Sequence, residues 1–170
     1  VRMAWPGDDI YDIGQTRRLN LLAQCFSERL RLRIREELGA AYSPGAWYAP
    51  GESQRGSGWL HVSIGVSPDQ VAKVVIATTA LAQELADKGI DESLLDQVKT
   101  PLIKGLSARL QRNDWWLGTV MSRLATQPFR LAWSRTIQTD FAAVTAPEIS
   151  MLAKRYLLNA KVVTVIGTTP

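Results

Sequence analysis

This 170-residue chain predicts an α+β fold, an antiparallel-dominated sheet with helices packed on one of its faces. Three observations carry the prediction. From Ser57 to Val66 the residues alternate, with Leu60, Val62, Ile64 and Val66 on one side and Trp59, His61 and Ser63 on the other, which is the period of a strand. Leu19, Leu22, Ala23, Phe26, Leu30, Ile34 and Leu38 recur at three- and four-residue steps, which is the period of an amphipathic helix. The order of segments is strand, helix, hairpin, helices, strand. Such segregation suits a layer of helices on a sheet.

Taken in order, Val1-Arg2-Met3-Ala4-Trp5 alternates and ends at Pro6-Gly7, as a short strand does. Asp8, Asp9 and Asp12 form a polar turn. The striped helix covers about Thr16 to Leu38, and Gly39 stands where a left-handed residue commonly closes a helix. Tyr42 to Ala49 reads as an aromatic-rich strand, paired as a hairpin with Ser57–Val66 through a Gly/Ser-rich loop. Pro68 suits the first turn of the next helix, where its missing N–H costs nothing, and Gly89 ends that helix. Asp91 opens another helix, interrupted by Pro101 and Gly105. Asp114 is a candidate N-cap for a segment holding Trp115, Trp116, Leu117, Val120, Met121 and Leu124, which Pro128 closes. A polar stretch follows, then a helix started by Pro147 and a short aliphatic strand from Val162 to Ile166. No repeat or change of composition divides the chain, so residues 1–170 read as one domain. Its abrupt start in a strand at Val1 reads as a piece excised from a longer chain.

Composition narrows the chemistry. Cys25 is the lone cysteine and His61 the lone histidine. Neither a disulfide framework nor a zinc site, which needs three or four Cys, His or acidic ligands, can be assembled from that pair. No Gly-x-Ser-x-Gly turn presents a serine nucleophile. Cys25 is expected as a packed, inert thiol, and His61 as a half-exposed sheet residue. The net charge of +4 comes with an arginine cluster, Arg17, Arg18, Arg29, Arg31, Arg33 and Arg35. Glu28, Glu36 and Glu37 dilute it and no nucleic-acid motif accompanies it, so a solvated or salt-bridged helix face is the expectation. Trp47, Trp115 and Trp116 are expected in the core. No run approaches the ~20 apolar residues that cross a bilayer, and no signal peptide is visible.

The segment Leu32-Arg33-Ile34-Arg35-Glu36-Glu37-Leu38-Gly39-Ala40-Ala41-Tyr42-Ser43 resembles the signature of the C-terminal half of M16 metallopeptidases, the pitrilysin and processing-peptidase family. There an Arg and a Tyr stand seven residues apart, the spacing of Arg35 and Tyr42 here. Asn113-Asp114-Trp115-Trp116-Leu117 is similar to the Asn-x-aromatic-Trp-Leu segment of the bacterial PqqL-like zinc proteases, and the order of elements matches over nearly the whole chain.

The resemblance implies an M16 half-domain that clamps unfolded peptide. It also implies a partner, the N-terminal half, on the same or another chain, whose His-x-x-Glu-His motif and downstream acid hold Zn2+. None of those ligands occurs in this sequence. Carried over, Arg35 would anchor a substrate carbonyl or carboxylate and Tyr42 would donate to the scissile carbonyl oxygen, with Arg33 a weaker candidate for substrate binding. From the residues alone, the default reading of Arg35 is a solvent-exposed arginine paired with a nearby acid, and Tyr42 could be a strand aromatic with its ring packed and its O–H in water. The alternative function is a metal-free scaffold or partner subunit with no protease activity. The resemblance is compatible with a periplasmic or membrane-associated setting, and the sequence leaves localisation open.

Overall fold

The computed structural model describes residues 1–38, 43–158 and 162–167. Four strands, β1 (Arg2–Pro6), β2 (Gly45–Ala49), β3 (Trp59–Ser63) and β4 (Val163–Val165), form one antiparallel sheet in the order β2-β3-β1-β4. Among the described residues the α-helices are α1 (Ile13–Leu38), α2 (Val71–Lys88), α3 (Glu92–Leu110), the short α4 (Asn113–Trp115), α5 (Arg130–Ala143) and α6 (Ala146–Leu157). The α+β architecture is therefore the one the sequence predicts.

The sheet separates its faces by alternation. Met3 and Trp5 of β1, Tyr48 of β2 and Leu60 and Val62 of β3 are buried against the helices, and Ile64 continues the same side just past β3. Trp59 and His61 point away, as the strand period requires. The stripe of α1 meets this inner face. Leu19, Leu22, Ala23, Phe26, Leu30 and Ile34 join the strand residues in one core, and Trp5 meets Phe26 edge to face at 5.4 Å. Around α1 pack α2, α3, α5 and α6.

Local chemistry explains the joints. At Gly89 the backbone takes φ +77°, and an added Cβ would lie 2.7 Å from Ser150 Oγ, so only glycine suits the stop of α2. Asp91 caps α3 by accepting from the Leu94 N–H at 2.7 Å. Thr145 and Glu148 form a reciprocal capping box at the start of α6. The turn after β1 is clasped from three sides. Gly7 N–H donates to Gly58 O at 2.7 Å, Asp9 accepts from the N–H groups of Tyr11 and Gly56, and Asp8 accepts from Gln15 and from the Tyr156 hydroxyl. A Cβ at Gly58 would sit 1.7 Å from Asp8 O, which makes that close approach a glycine position.

The structure departs from the sequence reading in places. The polar stretch after Pro128 contains the helix α5. Its apolar residues Trp133, Ile137 and Phe141 make a stripe one residue wide, diluted by Ser134, Thr136, Thr139 and Asp140. Helix α3 runs as one element through Pro101 and Gly105. The proline forfeits one backbone bond, but buried Leu94, Leu95, Val98 and Leu106 hold the helix on both sides. Asp114 lies inside α4 rather than at its N-cap, and bonds Arg112 at 2.7 and 2.9 Å. A π turn at Trp116–Val120 and a 3-10 turn at Met121–Arg123 follow. Gly39, the expected helix stop, lies outside the described residues, as does Tyr42 at the expected start of β2.

Ile64 is 1% exposed at the centre of this packing. Ile64→Ala is expected to cost about 2–5 kcal/mol in denaturant unfolding, the usual range for truncating a buried aliphatic side chain. A loss below about 0.5 kcal/mol, the scale of surface substitutions, would mean the inner face is assigned to the wrong side of the sheet.

Candidate functional site

The residues singled out in the sequence stand at the C-terminal end of α1. Arg35 lies in its last turn and is exposed. Among the described residues its guanidinium has no hydrogen-bond or ion-pair partner. Helix geometry separates it from Arg33: two residues on a helix differ by about 200° in direction. Arg33 turns toward α2, where it meets Glu84 at 2.5 Å, and Glu84 also accepts from Lys88 at 2.9 Å. These two cations, Lys88 first, hold the Glu84 carboxyl below its ordinary pKa. Arg33 and Glu84 help line an open hollow of about 350 Å³ between α1 and α2, to which Arg35 does not contribute. Arg33 and Arg35 are therefore not brought together.

Tyr42 falls outside the described residues, so the structure does not place it beside Arg35. The strand after it is placed. The Ala46 N–H donates to Ser27 Oγ at 3.2 Å, which ties β2 to the middle of α1, roughly two helical turns before Arg35.

The remaining reactive groups are quiet. Cys25 is fully buried, and burial pushes its thiol pKa up to about 12, far from a nucleophilic thiolate. His61 is half-buried on the outer sheet face and stacks on Trp47 at 5.2 Å. Burial, with Arg2 nearby, lowers its pKa. Among the described residues no three His, Cys, Asp or Glu side chains form a group that could hold a metal ion.

Sequence reading missed two features. Arg17, grouped with the solvated arginines, is 3% exposed. It crosses from α1 to α5, pairs with Asp140, and donates to Trp133 O at 2.5 Å and Thr136 Oγ1 at 3.2 Å. The available signal was its spacing: Leu21 and Cys25, four and eight residues on, are both buried, which puts Arg17 on a core-facing line. The second feature is Trp47, expected in the core. It is 42% exposed on the outer sheet face, and Trp115 and Trp116 are only half-buried. An aromatic at an alternating strand position can face either way, and the two-residue period alone does not choose.

The family model described as "Peptidase M16 inactive domain" matches residues 1–102. The chloroplastic stromal processing peptidase of Pisum sativum is 29% identical over 100 residues, which are 59% of this chain and 8% of that protein. The crystal structure of a peptidase M16 inactive domain from Pseudomonas fluorescens superposes with TM-score 0.78 at 16% identity, over 99% of this chain and 42% of that one. The periplasmic protease PqqL from Escherichia coli gives TM-score 0.73 at 16% identity, over 92% of this chain and 17% of that one. The chain thus spans a small part of the processing peptidase and of PqqL. At these identities the two structures speak for the fold.

The lowered pKa of Glu84 yields a pH prediction. A carboxyl whose folded pKa is depressed adds stability above its ordinary pKa of 4.5, and that stability is lost as pH falls through the folded value. Glu84→Gln is therefore expected to lower the thermal midpoint near pH 7 and to reduce the further loss on acidification from pH 5 to pH 3. Parallel pH profiles for the two proteins would contradict the pairing.

Proposed function

Because the chain belongs to the family of peptidase M16 inactive domains, we propose that it is the non-catalytic C-terminal domain of a zinc metalloendopeptidase, positioning unfolded peptide for a metal-bearing half. Arg35 carries this reading: a guanidinium at the rigid end of a packed helix, exposed and unpartnered among the described residues, seven residues before Tyr42. An exposed arginine with no acid to answer is available for a ligand.

The roles follow from the chemistry of peptide hydrolysis. Zn2+ in the other half would activate water and polarise the scissile carbonyl. Attack builds negative charge on that carbonyl oxygen, and the Tyr42 phenol O–H donates to it as the charge grows. Arg35 holds a backbone carbonyl or carboxylate of the substrate through its fork of N–H donors, which remains charged at any working pH. Arg33, engaged with Glu84, contributes to the same helix end at most as a secondary contact. The described residues include no helix long and apolar enough to cross a membrane.

Two substitutions test the assignment in the assembled protease. Tyr42→Phe removes one oxygen and should lower turnover of an unfolded peptide about 10²–10³-fold, the usual cost of one oxyanion donor. The thermal midpoint of the domain should barely move. Arg35→Lys should also impair cleavage, since a point charge cannot reproduce the guanidinium fork. Unchanged turnover in Tyr42→Phe would remove the oxyanion role, and a large loss of stability would make Tyr42 a packing residue.

A further inference from the structure

An open hollow of about 160 Å³ lies among the first turns of α1, the turn after α4 and the helix α5. Its walls are aromatic and aliphatic: Trp115 from α4, Val120 from the π turn, and Trp133, Ile137 and Phe141 from α5. The last three recur every four residues, so the narrow apolar stripe of α5 runs along this hollow. Trp133 is braced by Phe129, their ring centroids 4.2 Å apart. A π turn is rare and recurs at functional sites, and this one supplies part of the wall. An apolar cavity of about 150 Å³ accommodates one benzene ring. This hollow therefore suits a single six-membered ring.

The polar part of the lining says what that ring should carry. Arg17 is 3% exposed, and its Nε is buried with no acceptor, although Asp140, Thr136 and Trp133 O engage the terminal nitrogens. A buried donor left without a partner is costly, so a ligand oxygen that reaches it is favoured. Asn20 donates its Nδ2 to Thr16 O at 2.9 Å, which leaves Oδ1 to accept. Ser134 donates to Leu131 O at 2.8 Å and keeps its lone pairs. The lining cations already have carboxylates: Arg17 has Asp140, and Arg130 has Glu52 at 3.0 Å, which it shares with Arg123. A charged ligand would bring a charge that no free cation meets. We propose that this hollow binds a small uncharged phenol, its ring against Trp115 and Trp133, its oxygen accepting from the Arg17 Nε–H and its O–H donating to Asn20 Oδ1 or Ser134 Oγ. Near neutral pH such a ring keeps its proton. Arg17 lies about 27 Å along α1 from Arg35, so the site makes no use of Arg35 and stands whether or not the proteolytic reading does.

Titration of the 170-residue chain with phenol, followed through the indole N–H resonances, tests the site. Phenol should bind with a Kd of about 1 mM or tighter, within reach of a ligand of this size. It should shift the signals of Trp115 and Trp133 and leave that of Trp47, on the outer sheet face, in place. Toluene, which has the ring without the oxygen, should bind about tenfold or more weakly, and so should benzoate, whose charge would be buried unpaired. Trp115→Ala, at a half-buried position outside the main core, should weaken phenol binding about tenfold, whereas Trp47→Ala should not change it. N-acetyltyrosinamide binding as tightly as phenol would make a polypeptide's tyrosine the source of the ring. Binding of phenol alone would make a free small molecule the source, and either result supports the site. No binding at about 10 mM phenol would overturn the proposal. So would toluene or benzoate binding as tightly as phenol, or binding that leaves the Trp115 and Trp133 signals unmoved. These wild-type titrations test the site even where Trp115→Ala disturbs its short helix.

Discussion

Burial of the α1 stripe beneath the sheet is the constraint on which the rest of this domain depends. Leu19, Leu22, Phe26, Leu30 and Ile34 are each at most 1% exposed, and full burial of such side chains contributes about 1.5–3 kcal/mol apiece before ordering entropy is charged against it. They fix the helix against β1, β2 and β3, and the other helices pack on what remains of its circumference. One consequence is geometric. A helix of 26 residues extends roughly 39 Å, so its C-terminal turn projects from a rigid rod whose length is buried. Arg35 takes its position from the buried stripe of the helix that carries it.

The same helix carries a cost at its other end. Arg17 brings a charged group into the core, where desolvation lowers its pKa to about 10, and its Nε is buried without an acceptor. Asp140, Thr136 and Trp133 O compensate the other guanidinium nitrogens. An apolar residue of similar volume would cost less to bury. What the arginine gives is direction: it fixes α5, a helix with a narrow apolar stripe, at one angle and register against α1. The Asp8–Asp9 corner does the equivalent for the β1–α1 turn, the hairpin loop and α6, with Tyr156, Gln15 and Gly56 as its partners.

Most of this fold is legible in the sequence because its principal elements repeat their signals at several levels. β3 alternates strictly, α1 has a broad stripe, and Pro68, Gly89 and Pro147 punctuate helices where local chemistry demands it. Helix α5 is illegible because it is held by tertiary contacts, Arg17 among them, that no local pattern announces. The π turn at Trp116–Val120 has the same character. For the candidate site, the spacing of Arg35 and Tyr42 is readable in the sequence, while the structure places only Arg35, exposed in the last turn of α1, and Tyr42 lies outside the described residues. The partition of Arg33 to Glu84 depends on where α2 lies, which spacing does not give. The outward turn of Trp47 likewise depends on strand register, which assigns it to the row of His61 and Ala4.

We propose that this domain contributes to proteolysis only together with a metal-bearing half. Its described residues offer no metal-binding group, and its exposed arginine faces outward from a finished core. The most direct measurement is cleavage of an unstructured fluorogenic peptide by three samples: this chain alone, the metal-bearing half alone, and the two together. The mixture is expected to cleave the peptide, with little cleavage by either component by itself. Full activity of the metal-bearing half without this chain, or zinc-dependent cleavage by this chain alone, would contradict it.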